Sequence, residues 1–167
     1  MVTILGLDPG LRATGWGAIA VEGPSLSFVG AGTVRSSAEA LLGARLAALY
    51  DGLSLVVADL APDEAAAETT YVSRDGAATL KLGQARGVAL LVPAVRGIPV
   101  SEYAPSLVKK SVVGAGRADK RQIKAMVTML LPAARGDTEH AWDALAVAIC
   151  HASHRRSRSA ASGRAAA

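Results

Sequence analysis

The chain begins with a short apolar run, residues 2–7, that is cut off by Asp8-Pro9-Gly10. An uninterrupted apolar run of this length is typical of a buried strand, and Asp-Pro-Gly is a strong turn signal. Residues 14–21 and 25–34 are also β-like and are separated by Gly23-Pro24. We therefore expect three antiparallel strands in a meander, with the carboxylate of Asp8 at the carboxyl end of a buried first strand.

The rest of the chain alternates between helical and strand patterns. Ser36 and Glu39 match a capping box, which predicts that a helix begins at Ser36. Residues 53–60 fit either a strand or the end of that helix. Further along we expect a strand at 99–103 and helices at 74–95, from Pro105, at 118–131 and at about 139–153, the last with Asp137 as its N-cap. Residues 63–68 have poor β propensity, but Pro62-Asp63 opens a new element there. This order predicts an α/β sandwich with a mixed sheet.

The charge distribution indicates a polyanionic partner. The chain has 18 Lys and Arg against 14 Asp and Glu, but the segment 155–167 holds four arginines and no acid, so residues 1–154 are neutral overall. Within 1–154, residues 51–68 contain five acids and no Lys or Arg, whereas residues 109–124 contain six basic residues and only one acid. An acidic block beside a basic block suits a metal-dependent enzyme that acts on a polyanion.

Composition excludes several classes of protein. With 167 residues, 51% of them hydrophobic, we expect one domain at 1–154 and a basic, disordered tail at 155–167. The single cysteine, Cys150, rules out a disulfide scaffold and a cysteine-rich zinc site, and we expect it in the core. The start lacks a basic signal region, and no apolar run is long enough for a membrane span. These features predict a soluble, cytoplasmic protein.

Four residues are candidates for chemistry: Asp8, Glu68, His140 and Asp143. Asp8 is either a metal ligand or catalytic acid, or an ordinary turn residue. His140 and Asp143, three apart on a helix, share one face; the alternative is that Asp143 pairs with an arginine and His140 only starts the helix. Glu68 lies level with Asp8 if residues 63–68 pair with the first strand. Three carboxylates and one imidazole suit Mg²⁺ or Mn²⁺.

Five segments, in this order, resemble the RuvC-type Holliday-junction resolvases. They are ILGLDPGLRATGWG (4–17), AAETTYV (66–72), TLKLGQARGVAL (79–90), EYAPSLVKKSVVGAGRADKRQI (102–123) and HAWDALAVAI (140–149). The resemblance extends over nearly the whole chain and omits only the basic tail. It implies a ribonuclease-H-like fold, a five-stranded mixed sheet with helices on both faces.

The resemblance also implies an activity in DNA recombination and repair. Members of the family are homodimeric endonucleases that make paired, symmetric nicks in four-way DNA junctions, with a branch-migration motor as a further partner. Two divalent metal ions per active site, Mg²⁺ or Mn²⁺, would be held by the positions that match the family's ligands: Asp8, Glu68, His140 and Asp143. Many members carry a fourth carboxylate where this chain has His140, so we predict a preference for Mn²⁺.

Family positions near the active site match Lys109 and Lys120, which are expected to contact phosphates. Other basic residues are expected to follow the DNA backbone: Lys110, Arg117, Arg121 and Lys124. Tyr71 matches an aromatic residue that stacks on an unpaired base. We expect Trp16 and Trp142 in the core, and we expect the helix at 74–95, with Leu80, Leu82, Val88, Leu90 and Leu91, to form the dimer interface.

Three alternative functions fit the sequence less well. A smaller RNA-processing nuclease of the same fold is disfavoured by the LGQARG and KKSVVG segments. An actin-like or sugar-kinase domain needs two such domains, and this chain is long enough for one. A catalytically silent junction-binding protein is disfavoured by the intact set of metal-ligating residues.

Overall fold

The computed structural model describes residues 1–69 and 75–165, with side chains as far as residue 155. Five strands form one sheet in the order β3-β2-β1-β4-β5. They are β1 (Val2–Asp8), β2 (Ala13–Glu22), β3 (Ser25–Arg35), β4 (Glu64–Glu68) and β5 (Val100–Tyr103). The first three strands are antiparallel to one another, and β4 and β5 run parallel to β1. The predicted meander and mixed sheet are confirmed.

Helices cover both faces of this sheet. They are α1 (Leu42–Leu60), α2 (Gly76–Ala94), α3 (Pro105–Val113), α4 (Lys120–Leu130) and α5 (Glu139–Ala165). On β1 and β4, alternate residues point to opposite faces. Ile4 and Ala66 belong to the core beneath α3, α4 and α5, whereas Leu5 and Ala65 belong to the core beneath α1 and α2. Each strand ends in an acid, Asp8 on β1 and Glu68 on β4. These acids lie an even number of residues after Ile4 and Ala66, so they are on the same face of the sheet as those two residues.

One predicted helix start and one predicted N-cap are wrong. Helix α1 begins at Leu42, so Ser36 does not cap it, and residues 53–60 are its second half. Ser36 instead donates through its hydroxyl to the carbonyl of Leu11 at 2.5 Å and accepts from Nε of Arg45 at 3.1 Å. These tertiary hydrogen bonds use the hydroxyl that a capping box would need.

At the start of α5 the cap is Thr138, not Asp137. The hydroxyl of Thr138 accepts from the backbone N–H of Ala141 at 3.2 Å, while Asp137 accepts from the hydroxyl of Thr33 at 3.0 Å. Helix α5 also continues to Ala165 and does not end near residue 153. Residues 155–165, which belong to the segment predicted to be disordered, therefore have a helical backbone, and alanine and arginine favour helix. The division into a domain and a tail stays a prediction.

The core prediction is confirmed for Cys150, which is fully buried, and is only partly right for the two tryptophans. Trp16 and Trp142 are half-buried. Trp16 packs across Gly30 and Gly32 of β3, and Trp142 packs against Gly136 at the edge of the core. In the part of the chain that the structure describes, no helix is both long and apolar enough to span a membrane.

Candidate active site

The sheet brings Asp8 and Glu68 to one edge. In the parallel pair of β1 and β4, Leu7 lies opposite Ala67, and each strand ends at the following residue. Asp8 and Glu68 are therefore neighbours at the carboxyl ends of adjacent strands. Both point to the face of the sheet that α5 covers, because side chains alternate along a strand. The expected alignment of these two acids is confirmed.

Helix α5 reaches this edge because glycines on β1 and β2 let it approach. A Cβ atom added to Gly6 would lie 2.1 Å from the carbonyl oxygen of Ala144, and one added to Gly15 would lie 2.1 Å from that of His140. No side chain fits between the helix backbone and the sheet at these points. As a result His140 Nδ1 lies 2.7 Å from Asp8 Oδ2, although the two residues are 132 positions apart.

The carboxylates are close enough to disturb one another's ionisation. The pKa of Glu68 is raised to about 7 by burial and by the negative charges of Asp8 and Asp143. The pKa of Asp143 is also raised, first by burial and then by Asp8. Nearby lysines oppose these shifts without cancelling them. The site therefore holds more negative charge than its own cations neutralise.

His140 is drawn into this cluster through Asp8. Their hydrogen bond raises the pKa of His140, and the negative charges of Asp8 and Asp143 add to the effect, although partial burial opposes it. The imidazole remains about half exposed, with 48% of its side chain accessible. His140 is thus held beside Asp8 and remains accessible to solvent.

The donor set fits a divalent cation. In the side-chain conformations of residues 1–69 and 75–155, no three His, Cys, Asp or Glu side chains already surround one metal position. Three carboxylates and an imidazole are nevertheless the ligands that Mg²⁺ and Mn²⁺ accept. The pKa values of Glu68 and Asp143 are raised first by burial and then by the neighbouring negative charges, and a bound cation would offset the second of these causes.

Two lysines lie beside the acids. Lys109 and Lys120 line a cavity of about 210 Å³ together with Glu68 and Asp143. Lys120 Nζ is 4.0 Å from Asp143 Oδ2 and 2.6 Å from Glu139 Oε2, and the hydrogen bond to Glu139 raises the pKa of Lys120. The nearest cation to Asp143 is thus a lysine, and the alternative of an arginine partner is wrong for the described residues.

A second cavity, of about 380 Å³, adjoins the first between α4 and α5. Lys120, Arg121 and Lys124 line it, and Nζ of Lys124 lies 5.0 Å from the centre of the Trp142 ring. Lys110 and Arg117 are exposed and line neither cavity. Tyr71 lies outside the described residues.

Sequence reasoning missed two residues here. Glu139 is not among the candidate residues from the sequence, yet it pairs with Lys120. Trp142 was assigned to the core, yet it lines the larger cavity. The sequence offered one indication for each residue: Glu139 is next to His140, and Trp142 is next to Asp143. The partner on α4 depends on tertiary packing and gave no sequence signal.

Comparison with known proteins agrees with this geometry. The family model described as "Crossover junction endodeoxyribonuclease RuvC" matches residues 4–151. The protein of that name from Mesorhizobium japonicum is 59% identical over 156 residues, which cover 93% of this chain and 92% of the relative. A further relative of that name, from Afipia carboxidovorans, is 61% identical over 156 residues, covering 93% of this chain and 91% of the relative.

Solved structures give the same answer for the fold. The structure titled "T. thermophilus RuvC in complex with Holliday junction substrate" matches with a TM-score of 0.87 and 28% identity, covering 93% of this chain and 96% of that one. The predicted ribonuclease-H-like architecture, a mixed five-stranded sheet with helices on both faces, is confirmed. The match of the family model over almost the whole sheet and the candidate site, together with relatives near 60% identity, shows that this chain belongs to the RuvC family of crossover junction endodeoxyribonucleases.

Proposed function

We propose that this endodeoxyribonuclease resolves four-way DNA junctions by metal-dependent hydrolysis of phosphodiester bonds. The observation that carries the proposal is the convergence of Asp8, Glu68, His140 and Asp143, from β1, β4 and α5, at one edge of the sheet. The raised pKa of Glu68, about 7, supports a site built to receive positive charge. A similar protein, from T. thermophilus, was solved with a Holliday junction substrate.

The four residues are the proposed ligands of two divalent ions, Mg²⁺ or Mn²⁺. Divalent metal bound there supplies charge neutralisation at the scissile phosphate and a water of lowered pKa. Asp8 lies between the other ligands, since it contacts His140 directly and raises the pKa of both Glu68 and Asp143. The carboxylate of Asp8 would therefore help to hold both ions. His140 must give up the Asp8 hydrogen bond or turn its other ring nitrogen to serve as a ligand.

The lysines have a separate task, to bind and orient the DNA. Lys109 and Lys120 share a cavity with Glu68 and Asp143, so we assign them to phosphates at or next to the cleaved bond. Further basic side chains would hold the backbone beyond it: Lys110, Arg117, Arg121 and Lys124. Tyr71, three residues after Glu68, is proposed to stack on an unpaired base at the crossover.

Symmetric cleavage needs two active sites, which a homodimer provides. Helix α2 presents an exposed stripe made of Leu80, Gly83, Gly87 and Leu91, and nothing in the described chain lies within 4 Å of a Cβ added to either glycine. Val88 and Leu90 instead pack against the protomer's own core. We therefore narrow the proposed dimer interface to this exposed stripe. A branch-migration motor remains a proposed further partner.

Incubating the protein with a synthetic four-way junction, its linear duplex and a structured RNA tests the proposal. Mg²⁺, Mn²⁺ or EDTA is added in parallel, and both labelled strands of each substrate are followed. We expect paired nicks at symmetric positions in the junction only, and none in EDTA. Equal cutting of duplex or RNA, or cleavage that persists in EDTA, would contradict the proposal. Sedimentation of the same sample tests the dimer.

A further inference from the structure

Three arginines surround the connection that follows Asp8, on the side of the sheet away from β4. Arg12 lies in the connection from β1 to β2, and Arg35 ends β3 directly opposite Ala13. Arg45, in the first turn of α1, donates from Nε to the hydroxyl of Ser36 at 3.1 Å. The backbone N–H of Ser36 donates to the carbonyl of Arg12 at 3.1 Å, so three segments are tied together. We call Arg12, Arg35 and Arg45 the arginine patch.

Within the described residues, no carboxylate forms an ion pair with the patch. Arg12 and Arg35 are exposed and Arg45 is half-buried. Within the described residues, none of the three forms an ion pair at 4.0 Å or less, in contrast to Arg155, whose Nε lies 2.6 Å from Glu64. The nearby acids have other contacts or face solvent, since Asp137 accepts from Thr33 and Glu39 is exposed in the turn before α1.

The patch lies across the site from the lysines. Strand order places β2 and β3 on one side of β1, and β4 and β5 on the other. Lys109 follows β5 on α3, whereas Arg35 is on β3, two strands from Asp8, or about 10 Å at the usual strand spacing. A DNA strand that crosses the carboxyl edge of the sheet through the site therefore has basic side chains on both sides.

We propose that the arginine patch binds backbone phosphates of the DNA on the side of the cleaved bond opposite Lys109 and Lys120. Guanidinium groups suit this task because they are always charged and bind phosphate through two parallel N–H donors. The hydrogen bond to Ser36 holds Arg45 in place, and the exposed Arg12 and Arg35 present positive charge to the DNA. This inference rests on the proposed function, since it extends the contacts of the same substrate.

The double variant Arg12→Ala/Arg35→Ala tests the patch. Both side chains are exposed, and neither contributes a side-chain hydrogen bond in the described structure, so their removal should leave the thermal transition unchanged. Junction affinity is measured in EDTA over a range of salt concentrations. We expect the slope of log K against log salt to become shallower by about 1.8, since each lost phosphate contact contributes about 0.9.

Two controls separate this effect from a general loss of charge. Arg96→Ala removes an exposed arginine near the amino end of β5, at the opposite edge of the sheet, and should leave the slope unchanged. Arg12→Lys/Arg35→Lys keeps both charges and should retain the slope with weaker affinity. A double alanine variant whose slope equals that of the wild type would overturn the proposal.

Junctions with neutral methylphosphonates locate the contact. The phosphates are replaced on one side of the cleavage position or on the other. On one of these substrates the double alanine variant should bind as well as the wild type, because the charges that the patch contacts are already gone. On the other substrate the variant should still bind more weakly than the wild type. If the variant binds both substrates more weakly than the wild type, by the same factor as on the ordinary junction, the proposed location of the contact is wrong. Cleavage of the ordinary junction by the wild type, followed in parallel, tests the proposed function independently.

Discussion

The carbonyl oxygen of His140 lies directly over Gly15, so that a Cβ atom on residue 15 would come within 2.1 Å of it. Gly15 is also the residue of β2 that lies opposite Asp8. The same glycine thus touches the backbone of one proposed ligand and is the strand neighbour of another. This contact sets how closely the start of α5 approaches the end of β1.

Gly15→Ala should therefore displace His140 from Asp8. An ordinary carbon–oxygen contact is longer than the space available by about 1 Å, and a misplacement of that size costs about 100-fold in rate. We expect cleavage to fall by about that factor while junction affinity in EDTA changes less than threefold, a split that loss of folding would not produce. The free energy of unfolding should fall by about 1–3 kcal/mol.

Gly43→Ala is the matched control, because no atom of the described residues lies within 4 Å of a Cβ added to this glycine of α1. It should leave cleavage unchanged and increase stability by up to about 1 kcal/mol. A Gly15→Ala protein that cleaves like the wild type would show that the close approach of α5 to β2 does not matter for cleavage.

Asp8→Asn should abolish cleavage and preserve binding. Asparagine keeps the size of the side chain but loses the charge that Glu68, Asp143 and His140 all respond to. Junction affinity, measured by gel shift in EDTA, should stay the same or rise slightly, since the site becomes less negative. Asp59→Asn, at an exposed position on α1, makes the same charge change and should leave cleavage intact. Nicking by Asp8→Asn near the wild-type rate would mean that Asp8 is only a turn residue.

Local pattern was enough to predict the carboxylates of the site. An apolar run that ends in Asp8, and a second short strand that ends in Glu68, align because parallel strands place their carboxyl ends at one edge. The spacing of His140 and Asp143 put both on one face of a helix. The division of the sheet into an antiparallel half and a parallel half followed from the same alternation of elements.

Contacts between distant elements were not predictable. The pairing of Lys120 with Glu139 depends on how α4 packs against α5, and no local pattern encodes it. Ser36 carries a genuine capping pattern, but its hydroxyl bonds to Leu11 and Arg45. Gly15 has no local feature that sets it apart in its strand-like segment, whereas in the structure it leaves room for the backbone of His140, 125 residues later in the chain.

The metal-free protein should become less stable as pH rises from about 4.5 to about 7. Glu68 has a raised pKa, so the folded protein keeps a proton that the unfolded chain has already lost, and that stabilising difference disappears as pH rises through the folded value. Asp143 and His140, whose pKa values are also raised, act in the same direction. All three effects favour the folded state at the acidic end of this range.

Glu68→Gln should reduce this pH dependence, because glutamine has no proton to lose. Allowing for the solvent-exposed part of the side chain, the difference between pH 5 and pH 7.5 should shrink by about 2 kcal/mol. The measurement is urea denaturation in EDTA at the two pH values. Glu39→Gln, at an exposed site, should behave like the wild type. Identical pH dependence in Glu68→Gln and the wild type would show that Glu68 is not buried among like charges.

The remaining prediction concerns metal preference, which depends on His140. Mg²⁺ prefers oxygen ligands, whereas imidazole is better suited to Mn²⁺. A neutral imidazole in place of a fourth carboxylate also makes the site less negative, which weakens metal binding generally. We therefore expect faster cleavage with Mn²⁺ than with Mg²⁺ at the same low-millimolar concentration. His140→Asp should raise the Mg²⁺ rate relative to the Mn²⁺ rate.

The pH dependence of cleavage tests the same residue a second way. His140 binds metal only when neutral, and in the metal-free site its hydrogen bond to Asp8 raises its pKa, so protons compete with metal to a higher pH than an isolated histidine would allow. The cleavage rate of the wild type should fall steeply as pH decreases, and added Mn²⁺ should move this fall to lower pH.

In His140→Asp the cleavage rate should fall less steeply at acid pH, since one proton that competes with the metal is gone. The control His154→Asn replaces a histidine near the far end of the described side chains, where Nδ1 bonds to the carbonyl of Cys150, and should keep the wild-type profile. An unchanged Mn²⁺/Mg²⁺ ratio together with an unchanged acid limb in His140→Asp would remove His140 from the ligand set and leave three carboxylates to hold the metal.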